Sequence, residues 1–391
     1  MSEDQYLGNL YQRFPVTIEK GLGSHVWDTD NIDYIDCMGG YGVALVGHRN
    51  ERVVNAIKSQ IDKVITVHSS YYNKTREEFL QALIAVAPPG LSQVHLNNSG
   101  SESIEAAIKF ARKFTGKKKM VAMKGSYHGK SMGALSLTFN PKYRESFLPL
   151  VEKVSFSSYG DIDGLRTVVD KETAFVILEP IQGESGIHVP PEGFLQDVRK
   201  LCDENDSLLV FDEIQSGLGR TGSMWASEHW KTIPDIMCLA KGIAGGVPMG
   251  VTLVRPDILS VMKKGEHSST FGGNPLACAA GTATLHALTQ DGLIDNAKNM
   301  GQKLLNGLED LKSKHKIIRE VRGKGLMIGA ELKFEVKDIL MEGIKKGLLL
   351  LYSGRNILRF LPPLVISEED IVKTLQILDE LLTNEENRRN A

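Results

Sequence analysis

Residues 208–246 read LLVFDEIQSGLGRTGSMWASEHWKTIPDIMCLAKGIAGG. Two short apolar runs in this stretch, Leu208–Phe211 and Ile236–Leu239, predict buried strands. Asp212 directly follows the first run, and Lys241 stands just beyond the second. Because ligands of open parallel sheets bind outside the carboxyl ends of the strands, we expect this acid and this amine at one ligand-binding edge. Such a pair suits a site that holds a cationic ring and forms a Schiff base.

The bulk composition excludes several classes of protein. The chain has 391 residues, of which 42% are hydrophobic, and its formal net charge is −2. That length suits one large α/β domain with a smaller companion, and the balanced charge predicts no nucleic-acid or membrane partner. The four cysteines are scattered without metal-ligand spacing, which predicts reduced thiols and no metal site. The polar N-terminus is unlike a signal peptide, so we expect a cytoplasmic protein.

Three further apolar runs, at 94–96, 120–123 and 175–178, also predict short strands. A helical pattern at 192–205 lies between the run at 175–178 and the run at 208–211. A strand, a helix and a strand in this order form a right-handed crossover, which requires the two strands to be parallel. The sequence therefore predicts an α/β fold with a mostly parallel central sheet flanked by helices.

The two ends of the chain predict a second, smaller domain. Residues 1–41 predict an arm that contains a hairpin with its turn at Asp30 and Asn31. Residues 285–391 show helices, short strands and a last helix, which is typical of a small α+β domain, and we expect the arm to join it. Residues 42–284 are then the large domain.

A helix start after Ser99 predicts an anion site. Ser99 and Glu102 fit the capping box that begins a helix. The free amides of Gly100 and Ser101 would then face whatever precedes the helix, where the helix dipole favours a negative group such as phosphate. A well-capped surface helix without a ligand explains the same residues equally well.

Other candidate residues also follow predicted strands. Tyr127 and Lys130 lie just past one of them, where an aromatic ring can stack on a planar ligand and a cation can meet a carboxylate. Glu179 and Glu184 follow the next strand and are candidates for polar roles at the same edge. His128 could equally be a structural histidine.

Together these residues match the needs of pyridoxal phosphate (PLP). Its phosphate group suits amides at a helix N-terminus, and its ring suits an aromatic face such as that of Tyr127. A carboxylate such as Asp212 keeps the pyridine nitrogen protonated, so that the ring can accept electrons from a carbanion. Lys241 supplies an amine for the aldehyde carbon, and burial near other cations would lower its pKa.

Four longer motifs strengthen this interpretation. They are NSGSESIEAAIKFAR (98–112), DEIQSGLGRTG (212–222), LAKGIAGGVPMG (239–250) and STFGGNP (269–275). With these motifs the chain resembles the class III, or ω-amino-acid, aminotransferases, and most closely their acetylornithine and ornithine branch. The resemblance covers nearly the whole chain. It implies the type I fold of PLP-dependent transferases, with PLP bound by the large domain.

The resemblance implies a set of cofactor contacts. Lys241 matches the Schiff-base lysine, Asp212 matches the partner of the pyridinium nitrogen, and Gln215 matches the contact to the ring hydroxyl. Thr270 matches a residue that reaches the phosphate from the other subunit, which implies an obligate homodimer with shared active sites. The full set of implied cofactor contacts is Gly100, Ser101, Tyr127, Asp212, Glu213, Ile214, Gln215, Lys241 and Thr270.

The resemblance also implies where substrates bind. Arg359 matches the arginine that binds the α-carboxylate of glutamate. Glu184 matches the acid that pairs with this arginine when an ω-amino substrate binds instead. Tyr11 and Tyr41 align with tyrosines that contact substrate, and Ser269 belongs to the same substrate set.

Lys130 departs from the family pattern, since FHGR appears here as YHGK (127–130). Lysine keeps the positive charge but loses the bidentate fork of arginine, so the acceptor could present its carboxylate differently from acetylornithine semialdehyde. The basic run Lys117–Lys119 is either a solvated face or a docking surface for a small acidic carrier protein. In this respect the chain resembles the archaeal and Thermus-type aminotransferases that act on carrier-bound intermediates of lysine, and sometimes ornithine, biosynthesis.

These observations predict an aminotransferase that moves an amino group from glutamate, leaving 2-oxoglutarate, to a terminal semialdehyde. The expected acceptor is carrier-bound aminoadipate semialdehyde, glutamate semialdehyde or both, in lysine or arginine biosynthesis. Acetylornithine, ornithine or 4-aminobutyrate transamination is the alternative within the family. A non-catalytic binding protein on the same fold is the alternative outside it, and the intact Lys241, Asp212 and Arg359 speak against that.

Overall fold

Helices and strands alternate along most of the chain. A computed structural model describes residues 3–8 and 10–390, apart from the side chain of residue 390. The helices are α1 (Asp4–Leu7), α2 (Gly39–Gly42), α3 (Glu51–Ile61), α4 (Lys74–Val86), α5 (Gly100–Thr115), α6 (Met132–Leu137), α7 (Pro141–Arg144), α8 (Ile162–Val168), α9 (Phe194–Glu204), α10 (Pro256–Ser260), α11 (Pro275–Gln290), α12 (Leu293–Lys314), α13 (Lys337–Lys345) and α14 (Glu368–Asn390). The strands are β1 (Ile18–Leu22), β2 (His25–Asp28), β3 (Asp33–Asp36), β4 (Gln93–Asn97), β5 (Lys119–Met123), β6 (Val154–Ser157), β7 (Thr173–Leu178), β8 (Leu208–Asp212), β9 (Ile236–Leu239), β10 (Gly250–Val254), β11 (Ile318–Lys324), β12 (Met327–Leu332), β13 (Leu348–Leu349), β14 (Leu351–Ser353) and β15 (Ile357–Phe360). Short 3₁₀ helices lie at Glu145–Phe147, Ala226–Trp230 and Lys241–Ala244.

The central sheet has the strand order β4-β10-β9-β8-β7-β5-β6. Every neighbouring pair from β9 to β6 is parallel, whereas β10 runs antiparallel to both β9 and β4. Strands β7, β8 and β9 are buried at every residue, because structure covers both faces of the parallel part of the sheet. The predicted α/β fold is therefore confirmed, and β8 extends one residue further than predicted, to Asp212.

The sheet separates two cores. Alternate residues of β5 face opposite sides, so Met120 packs with the apolar face of α5 while Val121 packs with that of α9. Both helices were expected from their apolar spacing, and both bury that face. Because the layers on the two sides are filled, ligand space remains only at the edges of the sheet, where the strands end.

Two smaller sheets lie outside the central one. Strands β11, β12, β15 and β14 form an antiparallel sheet in that order. The predicted hairpin in the arm is β2 and β3, and its turn contains Asn31 in the left-handed region (φ 61°). Strand β3 also pairs in parallel with β13, so the arm shares a sheet with the C-terminal part of the chain.

The domain boundary predicted between residues 284 and 285 falls inside α11. This alanine-rich helix is largely buried, packs against α3 and α4, and continues to Gln290. The chain then passes through Asp291 and Gly292 into α12, which packs against β11 and α14. The packing partners therefore change at Gly292, several residues after the boundary predicted from the sequence.

The pattern of residues 51–67 predicts a helix over that whole range, but the helix in the structure is shorter. Helix α3 ends at Ile61, where the Gln60 side chain donates to the carbonyl oxygen of Val64 at 2.8 Å. The apolar residues that follow the helix remain exposed. Separately, none of the helices in residues 3–8 and 10–390 has the length and apolar composition needed to cross a bilayer.

Candidate active site

A cavity of about 400 Å³ opens at the carboxyl ends of β5, β7, β8 and β9. The loops after these strands supply most of its walls, and the N-terminus of α5 supplies another. The residues of the cavity wall that the sequence also singled out are Ser99, Gly100, Ser101, Tyr127, His128, Glu179, Glu184, Asp212, Ile214, Gln215 and Lys241. Parallel strands thus bring residues as far apart in the chain as Ser99 and Lys241 to one edge, as expected for an open α/β sheet.

Lys241 follows β9 at the base of the cavity. Its backbone adopts a left-handed conformation (φ 46°), which costs a residue other than glycine about 1–2 kcal/mol and is typical of functional sites. Burial lowers the pKa of the Lys241 amine, with Arg359 acting in the same direction and Glu184 opposing it. A larger neutral fraction makes this amine a better nucleophile and base.

Asp212 is held by a buried histidine. The Nδ1 atom of His128 lies 2.7 Å from Oδ2 of Asp212, and the Ile214 amide donates to Oδ1 at 3.1 Å. The His128 amide in turn donates to the Thr138 hydroxyl at 2.9 Å, which fixes the loop after β5. The sequence left open whether His128 was structural, and the structure shows that it positions the carboxylate.

The start of α5 has the predicted capping box. The Glu102 amide donates to the Ser99 hydroxyl at 3.3 Å, and the Asn98 amide donates to the Glu102 carboxylate at 2.8 Å. A Cβ atom on Gly100 would lie 2.9 Å from the Ile214 side chain, so glycine gives the helix room where it meets the loop after β8. Gly100 and Ser101 line the cavity, and the binding of a phosphate by their amides stays a prediction.

Glu184, in the cavity wall, forms an ion pair with Arg359. Their Nη1 and Oε1 atoms are 2.7 Å apart, and the arginine side chain is fully buried on β15. Burial alone would raise the pKa of Glu184, but Arg359 and Lys241 hold it below its ordinary value. The Nε and Nη2 atoms of Arg359 have no hydrogen-bond partner among the described residues, so the guanidinium has free donors for a second anion.

Tyrosines surround this ion pair at the cavity mouth. The Tyr41 ring lies 5.8 Å from the Arg359 guanidinium, in a left-handed backbone conformation (φ 61°). Tyr143 meets the Tyr127 ring edge-on at 5.7 Å, and the Lys130 ammonium lies 5.1 Å from the Tyr143 ring. Tyr143 is not among the residues predicted from the sequence, because its segment follows no strand end and carries no recognised motif.

Glu213, which was predicted to contact the cofactor, does not point into the cavity. Its carboxylate is fully buried away from the cavity, where it accepts hydrogen bonds from the Ser216 hydroxyl and from the amides of Ala226 and Ser227. Residues at consecutive positions of a strand end point to opposite sides, so Glu213 cannot share the direction of Asp212. The side chain therefore braces the loop after β8 and does not line the cofactor site.

Thr270, Tyr11 and Ser269 are predicted site residues that do not line the cavity of their own chain. Thr270 is exposed, and so is Tyr11, at 66%. The Ser269 hydroxyl accepts from the side-chain amide of Asn98, which does line the cavity, at 3.1 Å. The contact of Thr270 with a phosphate bound in another subunit, and the substrate contacts of Ser269 and Tyr11, stay predictions.

The basic run Lys117–Lys119 is also placed far from the cavity. It lies at the amino end of β5, whereas the cavity lies at the carboxyl end, about 17 Å away along a five-residue strand. Lys117 donates to two backbone carbonyl groups, and Lys119 pairs with Asp170 at 2.6 Å. The run is therefore separated from the cavity of its own chain, and its docking of an acidic carrier stays a prediction.

The residues present fit PLP. The buried Asp212 can hold a ring-nitrogen proton, Lys241 can bind the aldehyde carbon, and the amides of Gly100 and Ser101 can bind the phosphate. The Oε1 atom of Gln215 is buried, lies in a side chain that lines the cavity, and has no partner among the described residues. An acceptor left in this state is suited to a hydroxyl donor such as the one on the pyridine ring.

Fold and site together define a transferase of the PLP-dependent class. Comparison with known proteins identifies the family within that class. The family model "Aminotransferase class-III" matches residues 6–382. Acetylornithine aminotransferase from Methanopyrus kandleri is 44% identical over 381 residues, which cover 97% of each chain. [LysW]-aminoadipate semialdehyde/glutamate semialdehyde transaminase from Sulfolobus acidocaldarius is 41% identical over 97% of this chain and 98% of that one.

A solved structure agrees with these relatives. Ornithine aminotransferase from Toxoplasma gondii, with PLP at partial occupancy in its active site, superposes with a TM-score of 0.95. It is 31% identical, and the match covers 100% of this chain and 94% of that one. The chain belongs to the class-III aminotransferase family and is a PLP-dependent aminotransferase.

Proposed function

We propose that this aminotransferase takes its amino group from glutamate and transfers it to a terminal semialdehyde. The acceptors we favour are carrier-bound aminoadipate semialdehyde and glutamate semialdehyde. The observation that carries this proposal is the ion pair between the buried Arg359 and the partly exposed Glu184, both of which act on the Lys241 amine. A site that must bind a dicarboxylate in one half-reaction and an uncharged chain in the other needs a cation that can be exposed and neutralised in turn.

Each residue of the site has a defined part in this chemistry. PLP, when bound, supplies the electron sink that stabilises negative charge on the substrate carbon. Lys241 moves the proton to and from that carbon, and general acid–base work of this kind contributes roughly 10²–10⁴-fold. Asp212, oriented by His128, keeps a proton on the ring nitrogen. Tyr127 covers one side of the space where the ring lies.

The Arg359–Glu184 pair selects between the two substrates. When glutamate binds, Glu184 moves aside and the guanidinium accepts the α-carboxylate as a bidentate partner. When the semialdehyde or its amine binds, the pair stays closed, and the cavity presents no net charge to the aliphatic chain. The hydrogen bond from the Gln215 amide to Glu184, at 3.4 Å, is long, which suits an acid that must leave.

The mouth of the cavity supports an acceptor with an anionic distal end. Lys130 is exposed there above Tyr143, and the neighbouring Lys142 is exposed as well. Lys130 follows the carboxyl end of β5, unlike the run at 117–119, and Lys142 directly precedes Tyr143 in the chain. We propose that they face the acidic group or the acidic carrier to which the semialdehyde is attached.

A comparison of acceptors tests the carrier. With glutamate as donor, we expect kcat/KM for the carrier-bound semialdehyde to exceed that for the free N-acetylated compound by tenfold or more. Lys142→Glu should raise KM for the carrier substrate several-fold, while Lys118→Glu, at the opposite edge of the sheet, serves as the matched control. Equal kcat/KM for both acceptors would remove the carrier from the proposal.

Acetylornithine transamination is the second candidate. It is supported by the 44% identity to the acetylornithine aminotransferase of Methanopyrus kandleri. The same cations at the mouth can accept the α-carboxylate of the N-acetylated substrate, although lysine offers no bidentate fork. Comparing kcat/KM for the carrier-bound and the free N-acetylated semialdehyde separates the two candidates. Acetylornithine transamination requires the free N-acetylated semialdehyde to be the better substrate.

We also propose that two copies of the chain share their active sites. Arg76 joins the segment after α3 to the loop before α11, since it donates to the carbonyl oxygens of Val67, Tyr71 and Gly273. The joined segments expose several large apolar residues, which suits a surface that packs against a second copy of the chain. These residues are Ile61, Val64, Ile65, Tyr71, Tyr72 and Phe271.

Complementation between two inactive variants tests the shared sites. Thr270→Asp should repel the phosphate in the partner's site, and Lys241→Ala should inactivate its own site. If Thr270 serves the other subunit, a mixed dimer contains one site with both native residues, so co-refolded mixtures should recover up to about a quarter of wild-type activity. No recovery from mixtures that contain mixed dimers would contradict the proposal.

A further inference from the structure

The carboxylate of Glu179 lies between two loops that form different walls of the cavity. Glu179 directly follows β7 and is 6% exposed. Its Oε1 atom accepts the amide of Tyr127 at 3.1 Å, and its Oε2 atom accepts the amide of Gly183 at 2.9 Å. One side chain thus joins the loop that carries Tyr127 and Lys130 to the loop that carries Glu184.

The surroundings hold Glu179 in this position. The Tyr159 hydroxyl donates to the backbone carbonyls of Glu179 and Pro180, at 3.1 and 2.8 Å. A second link between the same two loops runs from the Gln182 side-chain amide to the Lys124 carbonyl, at 3.0 Å. The buried position is costly for a carboxylate, and two charge-assisted hydrogen bonds offset that cost.

We propose that Glu179 is a positioning residue that keeps the Tyr127 loop and the Glu184 loop at a fixed separation. The inference rests on the proposed function, in which Glu184 leaves Arg359 and returns in every cycle. The hydrogen bond from the Gly183 amide to Glu179 holds the backbone next to Glu184 in place, while the Glu184 side chain stays free to move. The aromatic ring of Tyr127, on which the cofactor ring would stack, then stays in one position through both half-reactions.

The geometry requires a carboxylate. Both of its partners are backbone N–H donors, so both positions at the end of the side chain must be acceptors. Glutamine has nearly the same shape but offers one oxygen and one NH₂ group, and the NH₂ group would face an N–H donor. The substitution therefore breaks one of the two links without creating a cavity.

The test combines amide hydrogen exchange with kinetics on Glu179→Gln. In the full-length enzyme without substrate, we expect exchange at 124–130 or at 180–186 to become at least tenfold faster. In the half-reaction with the terminal amine, kcat/KM should fall about tenfold, mostly through KM, because a displaced Glu184 no longer neutralises Arg359. Unchanged exchange in both segments would overturn the proposal, whatever the activity.

Glu213→Gln is the matched control. Glu213 is also a buried carboxylate after a strand of this sheet, and it accepts two backbone amides, but it does not face the cavity. We expect it to lower the thermal midpoint while exchange at 124–130 and 180–186 stays as in the wild type. Faster exchange in these segments in both variants would mean general loosening, which also overturns the proposal.

A shorter carboxylate keeps the proposal testable if Glu179→Gln does not fold. Glu179→Asp retains the charge but, being one methylene shorter, can reach only one of the two amides, so exchange should rise in one segment only. Unchanged exchange in both segments of this variant would overturn the proposal as well. Wild-type turnover of glutamate with each semialdehyde tests the proposed function separately, since the exchange experiment uses no substrate.

Discussion

The imidazole of His128 and the carboxylate of Asp212 form a buried pair, with Nδ1 and Oδ2 2.7 Å apart. The two residues come from loops after β5 and β8, on strands that are not direct neighbours in the sheet. The pair fixes which face of the Asp212 carboxylate is presented to the cavity. The Nε2 atom of His128 has no partner among the described residues, so the histidine is held mainly by this contact and by its backbone.

We therefore predict that His128→Leu lowers kcat by about ten- to a hundredfold. A hydrogen bond to a charged group contributes about 1.5–3 kcal/mol, and 1.36 kcal/mol corresponds to a factor of ten in rate. Steady-state kinetics with glutamate and a semialdehyde measure the loss. His286→Leu, at an exposed position, is the control, and an unchanged kcat for His128→Leu would show that Asp212 needs no such support.

Lys241→Ala should leave a folded protein with no measurable turnover. The variant loses both the amine that binds the cofactor aldehyde and the group that moves the substrate proton. The visible absorption band of the lysine-bound cofactor should disappear. The thermal midpoint should stay near that of the wild type or rise, because the substitution removes no contact that the fold needs. Normal transamination by this variant would end the assignment of Lys241.

Changes to the Arg359–Glu184 pair should separate the two half-reactions. In Glu184→Gln the guanidinium is no longer neutralised, so KM for glutamate should stay the same or fall. The same variant should lose tenfold or more in kcat/KM for the terminal amine, because the cavity now carries a buried unpaired charge.

Arg359→Lys should have the opposite effect. Lysine keeps the charge but cannot bind a carboxylate with two parallel hydrogen bonds, so KM for glutamate should rise by at least tenfold. Half-reactions followed by absorbance measure both variants. If both variants changed the two half-reactions equally, the pair would be a structural ion pair and would not select between substrates.

Acid should destabilise the protein through His95. Burial lowers the pKa of His95 to about 4, and the nearby His267 acts in the same direction. Below pH 6.5 the unfolded chain binds a proton at this position that the folded chain rejects until about pH 4. Folding stability from His95 is therefore complete above pH 6.5 and is lost as the pH falls toward 4.

Thermal midpoints of the wild type and His95→Gln between pH 7.5 and 4 measure this loss. The midpoint of the variant should fall less steeply over that interval, because glutamine has no proton to gain. His267, the Lys109 ammonium and Glu102 surround His95 and act on its titration, so His267→Gln is the companion variant. Parallel curves for the wild type and His95→Gln would contradict the prediction.

Local sequence was sufficient for the parts of the site that depend on neighbouring residues. The strands ending at Leu178, Asp212 and Leu239 follow from short apolar runs, and the start of α5 follows from Ser99 and Glu102. Asp212 and Lys241 could be singled out because the carboxyl ends of parallel strands meet at one edge. The type I fold and the substrate roles of Arg359 and Glu184 came from family resemblance and not from spacing.

Residues that act through contacts distant in sequence could not be found in this way. His128 became a partner of Asp212, and Glu179 a partner of Tyr127 and Gly183, only when separate loops packed together. No local pattern distinguishes an acid that faces a cavity from one that faces a loop, which is why the prediction for Glu213 was wrong.

The sequence by itself determined the order of strands and helices and the chemistry available at the strand ends. Only the tertiary structure decided which charges meet. His128 pairs with Asp212 although 84 positions separate them, and the lysines at 117–119 lie on the edge opposite the cavity. The physical reason is that hydrophobic periodicity is a local property, whereas the partner of a buried charge depends on which loops the packed sheet brings together.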